Sequence, residues 1–187
     1  DQMNLDIDYY LVGRLKTSHV SGFSTLSISA SPELLNGSYL GREIDLFIED
    51  EAHFRLSYGT RNGEIKEVIH QFGVPLEGPD LALTINYNDK SIFNFDNPSG
   101  PTVNMESLEE ARKQHYRFKV FSRSQRINQM RGSLRVNNVI GTSILTLSSS
   151  STLPGRPKTF LNILGKEFVE YTKEARLESS LKTEAFI

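Results

Sequence analysis

Apolar positions recur along this chain with two periods, and the change of period divides it. From Phe23 to about Phe95 the period is two. Leu26, Ile28 and Ala30 alternate with serines; Ile44, Leu46 and Ile48, then Phe54, Leu56 and Tyr58, then Leu81, Leu83, Ile85 and Tyr87 recur at every second position. Each set predicts a strand that buries one face. Turn-forming residues separate the sets: Asn36-Gly37, Glu49 to Glu51, Asn62-Gly63, Gly73 to Pro75, Gly78-Pro79 and Asn88-Asp89. Gly59 to Gly63 reads as a hairpin tip. Short strands at this spacing predict an antiparallel, jelly-roll-like unit. Ahead of them, Tyr10 to Val20 reads as a strand made irregular by Gly13. The segment before it reads as a helix end or a loop.

Beyond Phe95 the pattern alternates between helix and strand. Asn94 to Gly100 reads as a loop, and Met105 to Gln114 as a short helix capped by Asn104. Tyr116, Phe118 and Val120 predict a strand. Ser122 caps a second short helix that Gly132 should stop. Leu134 and Val136 begin a strand, Asn137-Asn138 turn it, and Ile140 to Leu147 returns. After a Ser/Thr/Pro/Gly break come about thirty residues of helix pattern. Leu161, Leu164, Phe168, Tyr171 and Ala175 fall on one face at spacings of three and four. Such a helix is roughly 45 Å long at ~1.5 Å per residue. Its charges alternate in sign from Lys166 to Glu184, as on a solvated face. No Gly, Asn or Pro closes it before Ala185-Phe186-Ile187, which predicts a chain cut from a longer one. The competing reading is a terminal helix that docks its last two apolar residues.

The expected fold is therefore α+β. A β-rich, jelly-roll-like insert (21–115) sits on a small α/β base formed by 1–20 and 116–187, ending in the long helix.

Composition narrows the chemistry. At 187 residues, 37% hydrophobic and 24% charged, the chain is long enough for one domain or two small ones of ordinary globular character. A net charge of −2 gives no overall pull toward nucleic acid or membrane. No run approaches the ~18 apolar residues that a bilayer span needs. The absence of cysteine excludes disulfides, thiol catalysis and cysteine-bound metal, and suits cytoplasm and periplasm equally. His19, His53, His70 and His115 lack metal-ligand spacing and read as structural or surface residues. No nucleophile elbow or phosphate-cradling glycine loop occurs. No catalytic residue, cofactor or metal is expected.

One charge asymmetry remains. Every full charge from Arg112 to Lys158 is positive. Arg123 and Arg126 share a helix face at i,i+3, and with Arg131 they are the candidates for a surface facing an acidic glycan, a lipid headgroup or an acidic subunit. The plainer alternative is a basic surface balanced by the acidic stretch from Glu33 to Asp96. Tyr116 and Phe118 read as core positions, so nucleic acid is not expected as a partner.

An ordered set of segments carries a family resemblance: Arg126-Ile-Asn-Gln-Met130, Leu134-Arg-Val136, Gly141 to Leu147, Phe160-Leu-Asn162, Phe168 to Tyr171 and Lys182 to Ile187. Over 115–187 the chain resembles the polysaccharide co-polymerases (chain-length determinants). More narrowly, it is similar to the Wzc-type exopolysaccharide transport proteins that carry a cytoplasmic tyrosine autokinase. A collinear but weaker likeness covers 1–115. The resemblance implies a periplasmic segment of an inner-membrane protein. It implies a homo-oligomer packed through long helices, with Leu161, Leu164, Phe168 and Tyr171 as the packing face. It further implies work alongside a polysaccharide polymerase and export machinery, and contact with the polysaccharide. The implied role is not enzymatic: setting the length of a capsular or exopolysaccharide and assisting its export. The chain has no phosphate-binding loop or tyrosine cluster, so no kinase activity is expected of it; a kinase would belong to the full-length protein. The alternative reading is a stand-alone carbohydrate-binding β-sandwich domain.

Overall fold

The computed structural model describes residues 7–30, 39–60, 62–78, 81–87, 93–94, 102–153 and 155–184. In chain order its elements begin with β1 (Ile7–Val12), β2 (Thr17–Val20), β3 (Leu26–Ala30), β4 (Ile44–Ile48), β5 (His53–Gly59) and β6 (Ile65–Gln71). Then come β7 (Leu76–Glu77), β8 (Ala82–Tyr87), β9 (Phe93–Asn94), β10 (Thr102–Val103), α1 (Met105–Lys113) and β11 (His115–Val120). The chain continues through α2 (Arg123–Ser133), β12 (Leu134–Asn138), β13 (Leu145–Ser149) and α3 (Arg156–Glu184). This is the expected α+β, β-rich architecture with a long C-terminal helix.

Two compact units divide the chain at Asn128 and Gln129, inside α2. The first holds an antiparallel six-stranded sheet ordered β2-β1-β11-β4-β5-β6 and a three-stranded sheet ordered β3-β8-β7. That division differs from the expected boundaries near 20 and 115. Strands β1, β2 and β11, assigned to a base, lie in one sheet with β4 to β6, assigned to an insert.

Register explains the burial. Tyr9, Phe118, Ile44 and Tyr58 stand opposite one another across four strands, and so do Leu11, Tyr116, Leu46, Leu56 and Val68. With a period of two, these rows put every second residue on the inner face. There Phe54, Leu56, Leu46 and Phe118 are wholly buried and join Leu26, Ile28, Leu83 and Ile85 of the smaller sheet. Leu108 and Ala111 of α1 complete this core. One outer row is polar along its length: Tyr10, Arg117, Asp45, Ser57 and Glu67. Arg117 bonds Asp45 directly opposite, at 2.6 and 3.2 Å, a favourable cross-strand pair.

Local signals set most element ends. Asn104 accepts the Ser107 N–H at the start of α1. At the start of α2, Ser122 Oγ accepts the Gln125 N–H at 3.2 Å, and Gln125 Oε1 accepts the Ser122 N–H at 3.0 Å. The two form a reciprocal capping box.

Three expected details differ. The irregular strand at 10–20 is the hairpin β1–β2. A side chain on Gly13 would meet the Lys16 carbonyl at 2.9 Å, so glycine is required at this turn. Gly132 does not stop α2, which runs on to Ser133, where the hydroxyl donates to the Met130 carbonyl. Asn137 and Asn138 lie in β12, and the turn falls at 139–144, where Gly141 takes φ +79°. Apart from Asn94, the loop expected at Asn94 to Gly100 lies outside the described residues, as does the apolar end at 185–187.

The second unit contains the β12–β13 hairpin and α3. Pro157 sits in the first turn of α3, where its missing N–H is no loss. Helix α3 lies against β13 and spans 29 residues, about 43 Å at ~1.5 Å per residue.

Candidate functional site

The face of α3 expected to pack does so only in part. Leu161 and Leu164 are half-buried, whereas Phe168 is 59% and Tyr171 70% exposed. Ala175 is exposed as well. These five positions repeat at 3-4-3-4 spacing, the seam of a left-handed helix pair. Phe168 and Tyr171 thus present large apolar rings to solvent on the face that a neighbouring helix would cover. The rest of α3 is charged and nearly balanced, with six basic and five acidic side chains, so two copies of it do not repel through a single-sign surface.

The three candidate arginines do not act alike. Arg123 and Arg131 are exposed. Arg126 is buried, at 5% exposure, and grips Asp8 of β1 with Nη1 to Oδ2 and Nη2 to Oδ1, both 3.1 Å. Its guanidinium also stacks 4.1 Å from the Phe121 ring centre. This corrects the expectation that Arg126 faces an outside anion: it is committed to an internal carboxylate, in the bidentate fork that favours arginine. Much of the remaining basic stretch is matched locally too. Arg117 bonds Glu43 and Asp45, Lys119 approaches Glu43 at 3.0 Å, and Arg112 bonds Glu109. Bonding to Asp45 first, and the nearby charges of Asp45 and Glu43, raise the Arg117 pKa further.

The histidines are tied into these polar rows. His115 Nε2 lies 2.8 Å from Asp45, His19 Nε2 3.5 Å from Asp8, His53 Nδ1 2.9 Å from Asp50, and His70 Nε2 3.2 Å from the Pro75 carbonyl. Among the described residues no three His, Asp or Glu side chains gather where a metal could sit, and no helix is long and apolar enough to cross a membrane.

Asp8 is the partner that sequence reasoning missed. It lies 118 positions from Arg126, and only the pairing of β1 with β11 brings the two ends together. Asp8 follows Asp6 by two positions, and no local signal marks it as the buried partner.

No protein-family model, curated protein or solved structure gives a significant match to the chain.

Proposed function

We propose that the chain is the periplasmic segment of an inner-membrane polysaccharide co-polymerase. In this reading it is a non-catalytic scaffold that assembles with copies of itself, sets the length of a capsular or exopolysaccharide and assists its export. The observation that supports it is the solvent-facing Phe168 and Tyr171 on the heptad-spaced face of α3. Phe168 is 59% exposed, so covering it against a neighbouring helix contributes up to roughly 1.5–3 kcal/mol per copy. The ordered likeness of 115–187 to that family supplies the biological context. Of the three candidate arginines, Arg123 and Arg131 face outward, suited to an anionic partner.

The test is genetic. The gene is replaced by Phe168→Glu and Tyr171→Glu alleles, and the exported polysaccharide is sized by gel filtration. The reading predicts a changed length distribution at unchanged protein level. An unchanged distribution with both alleles contradicts it.

A further inference from the structure

In the first unit a cavity of about 320 Å³ opens between α1, the segment from Gly22 to Thr25 and the inner ends of β1 and β11. That volume is at the small end of the ~300–1,000 Å³ usual for small-molecule sites. One wall is a face of α1, with Ser107, Glu110 and Ala111 at i, i+3 and i+4, continued by Gln114, the extended residue that caps the helix. The other wall and the floor bring Ser24, Thr25, Leu11, Phe23 and Tyr116.

The floor is fixed before any ligand arrives. Phe23 meets Tyr116 edge-on at 4.9 Å between ring centres and Tyr9 at 5.0 Å. Tyr116 is 4% exposed, and its hydroxyl shares a hydrogen bond of 3.1 Å with Thr25 Oγ1. A side chain added at Gly22 would meet nothing within 4 Å, so the mouth beside it is open.

The mix of groups selects the ligand class. None of the lining side chains is basic, so a phosphate, sulfate or carboxylate would meet Glu110 with no compensating cation. A wholly apolar ligand would leave Glu110, Gln114 and several hydroxyls desolvated and unpaired. The set suits a ring with one C–H face, for the apolar floor, and a rim of neutral hydroxyls that both donate and accept. We propose that this cavity binds one uncharged saccharide residue, its C–H face toward the apolar floor at Leu11 and Phe23 and its hydroxyls held by Glu110 and Gln114. The site is independent of the α3 face, and its failure would leave the scaffold reading untouched.

The full 187-residue chain is titrated by calorimetry and saturation-transfer NMR. The probes are the methyl glycosides of glucose, galactose, mannose and N-acetylglucosamine, with methyl glucuronide as the charged comparison. Glu110→Ala and Gln114→Ala are tested alongside. Both positions are exposed, Glu110 on α1 and Gln114 at its C-terminal cap, and thermal unfolding confirms that the variants fold. At least one neutral glycoside binds at millimolar concentration, more tightly than the glucuronide, and each variant weakens it about tenfold or more, the loss of one hydrogen bond with a charged or strongly polar group. Three results overturn the proposal: no neutral glycoside binds, the glucuronide binds best, or both folded variants bind as the parent does.

Discussion

Removing one partner of the Asp8–Arg126 pair tests the construction of the first unit. The side chains of Asp8 and Arg126 are 8% and 6% exposed, and two hydrogen bonds of 3.1 Å join them. Arg126→Ala leaves the Asp8 carboxylate buried without its bidentate partner, with His19 Nε2 at 3.5 Å. It also strips the guanidinium from Phe121. Breaking a buried pair in this way costs about 3–5 kcal/mol, against about 0–1 kcal/mol for an exposed one. Asp8→Ala should cost a similar amount. Replacing both at once, Asp8→Leu with Arg126→Met, removes the uncompensated charge and should recover most of the loss. Six of the seven tyrosines lie in the first unit, so urea unfolding followed by near-ultraviolet circular dichroism reports chiefly on it. Single variants that each cost under about 1 kcal/mol, or a double variant as unstable as the sum of both, would refute the reasoning.

Three further perturbations probe other parts. Ser122→Ala removes the capping-box hydroxyl of α2 and should lower stability by about 1 kcal/mol, read from the same urea transition; no change would show that the cap is idle. Burial raises the Tyr116 pKa, the Thr25 bond opposing it. The stability this tyrosine contributes is complete below the ordinary value of ~10 and is lost as pH rises through its folded value. Tyr116→Phe should therefore flatten the alkaline fall in unfolding free energy, and an equally steep fall would contradict this. Asp50 has its pKa lowered, first by the Ala52 N–H and then by the His53 side chain. Its contribution is present above ~3.9 and is lost as pH falls through the folded value. Asp50→Ala should accordingly lose less stability than the parent on acidification, as measured by thermal unfolding at stepped pH.

The period-two strands and the long helix were legible because burial on one face leaves a repeating pattern. β3, β4, β5 and β8 match the alternating sets, and α3 spans the run containing Leu161 and Phe168. β6 was missed. It is an edge strand whose Ile65 and Ile69 lie on the outer face, 75% and 63% exposed, while Lys66, Val68 and His70 point inward. With no face consistently apolar, it carries no readable period. The single sheet that runs across the expected boundaries near 20 and 115 was invisible for a different reason. β1 pairs with β11, Ile7 opposite Val120, and such long-range pairing leaves no local mark. The same pairing hides the internal role of Arg126, whose partner is set by topology. In the cavity, the α1 wall could have been read from the i, i+3, i+4 spacing of Ser107, Glu110 and Ala111. Its opposite wall could not, because it depends on how β1 and β11 carry Leu11 and Tyr116.

Helix self-association through α3 is open to direct chemical test, because the chain contains no cysteine and each introduced thiol is unique within these 187 residues. Leu164→Cys, Phe168→Cys and Tyr171→Cys are compared with Lys166→Cys and Lys173→Cys on the opposite side of the helix, in membranes from cells making the native-length protein. Under mild oxidation a disulfide forms only where Cβ atoms approach to roughly 3.5–4.5 Å. The account predicts covalent dimers from at least one of the first three variants and from neither lysine position. No dimer at 164, 168 or 171, or equal dimer at 166 and 173, would contradict it.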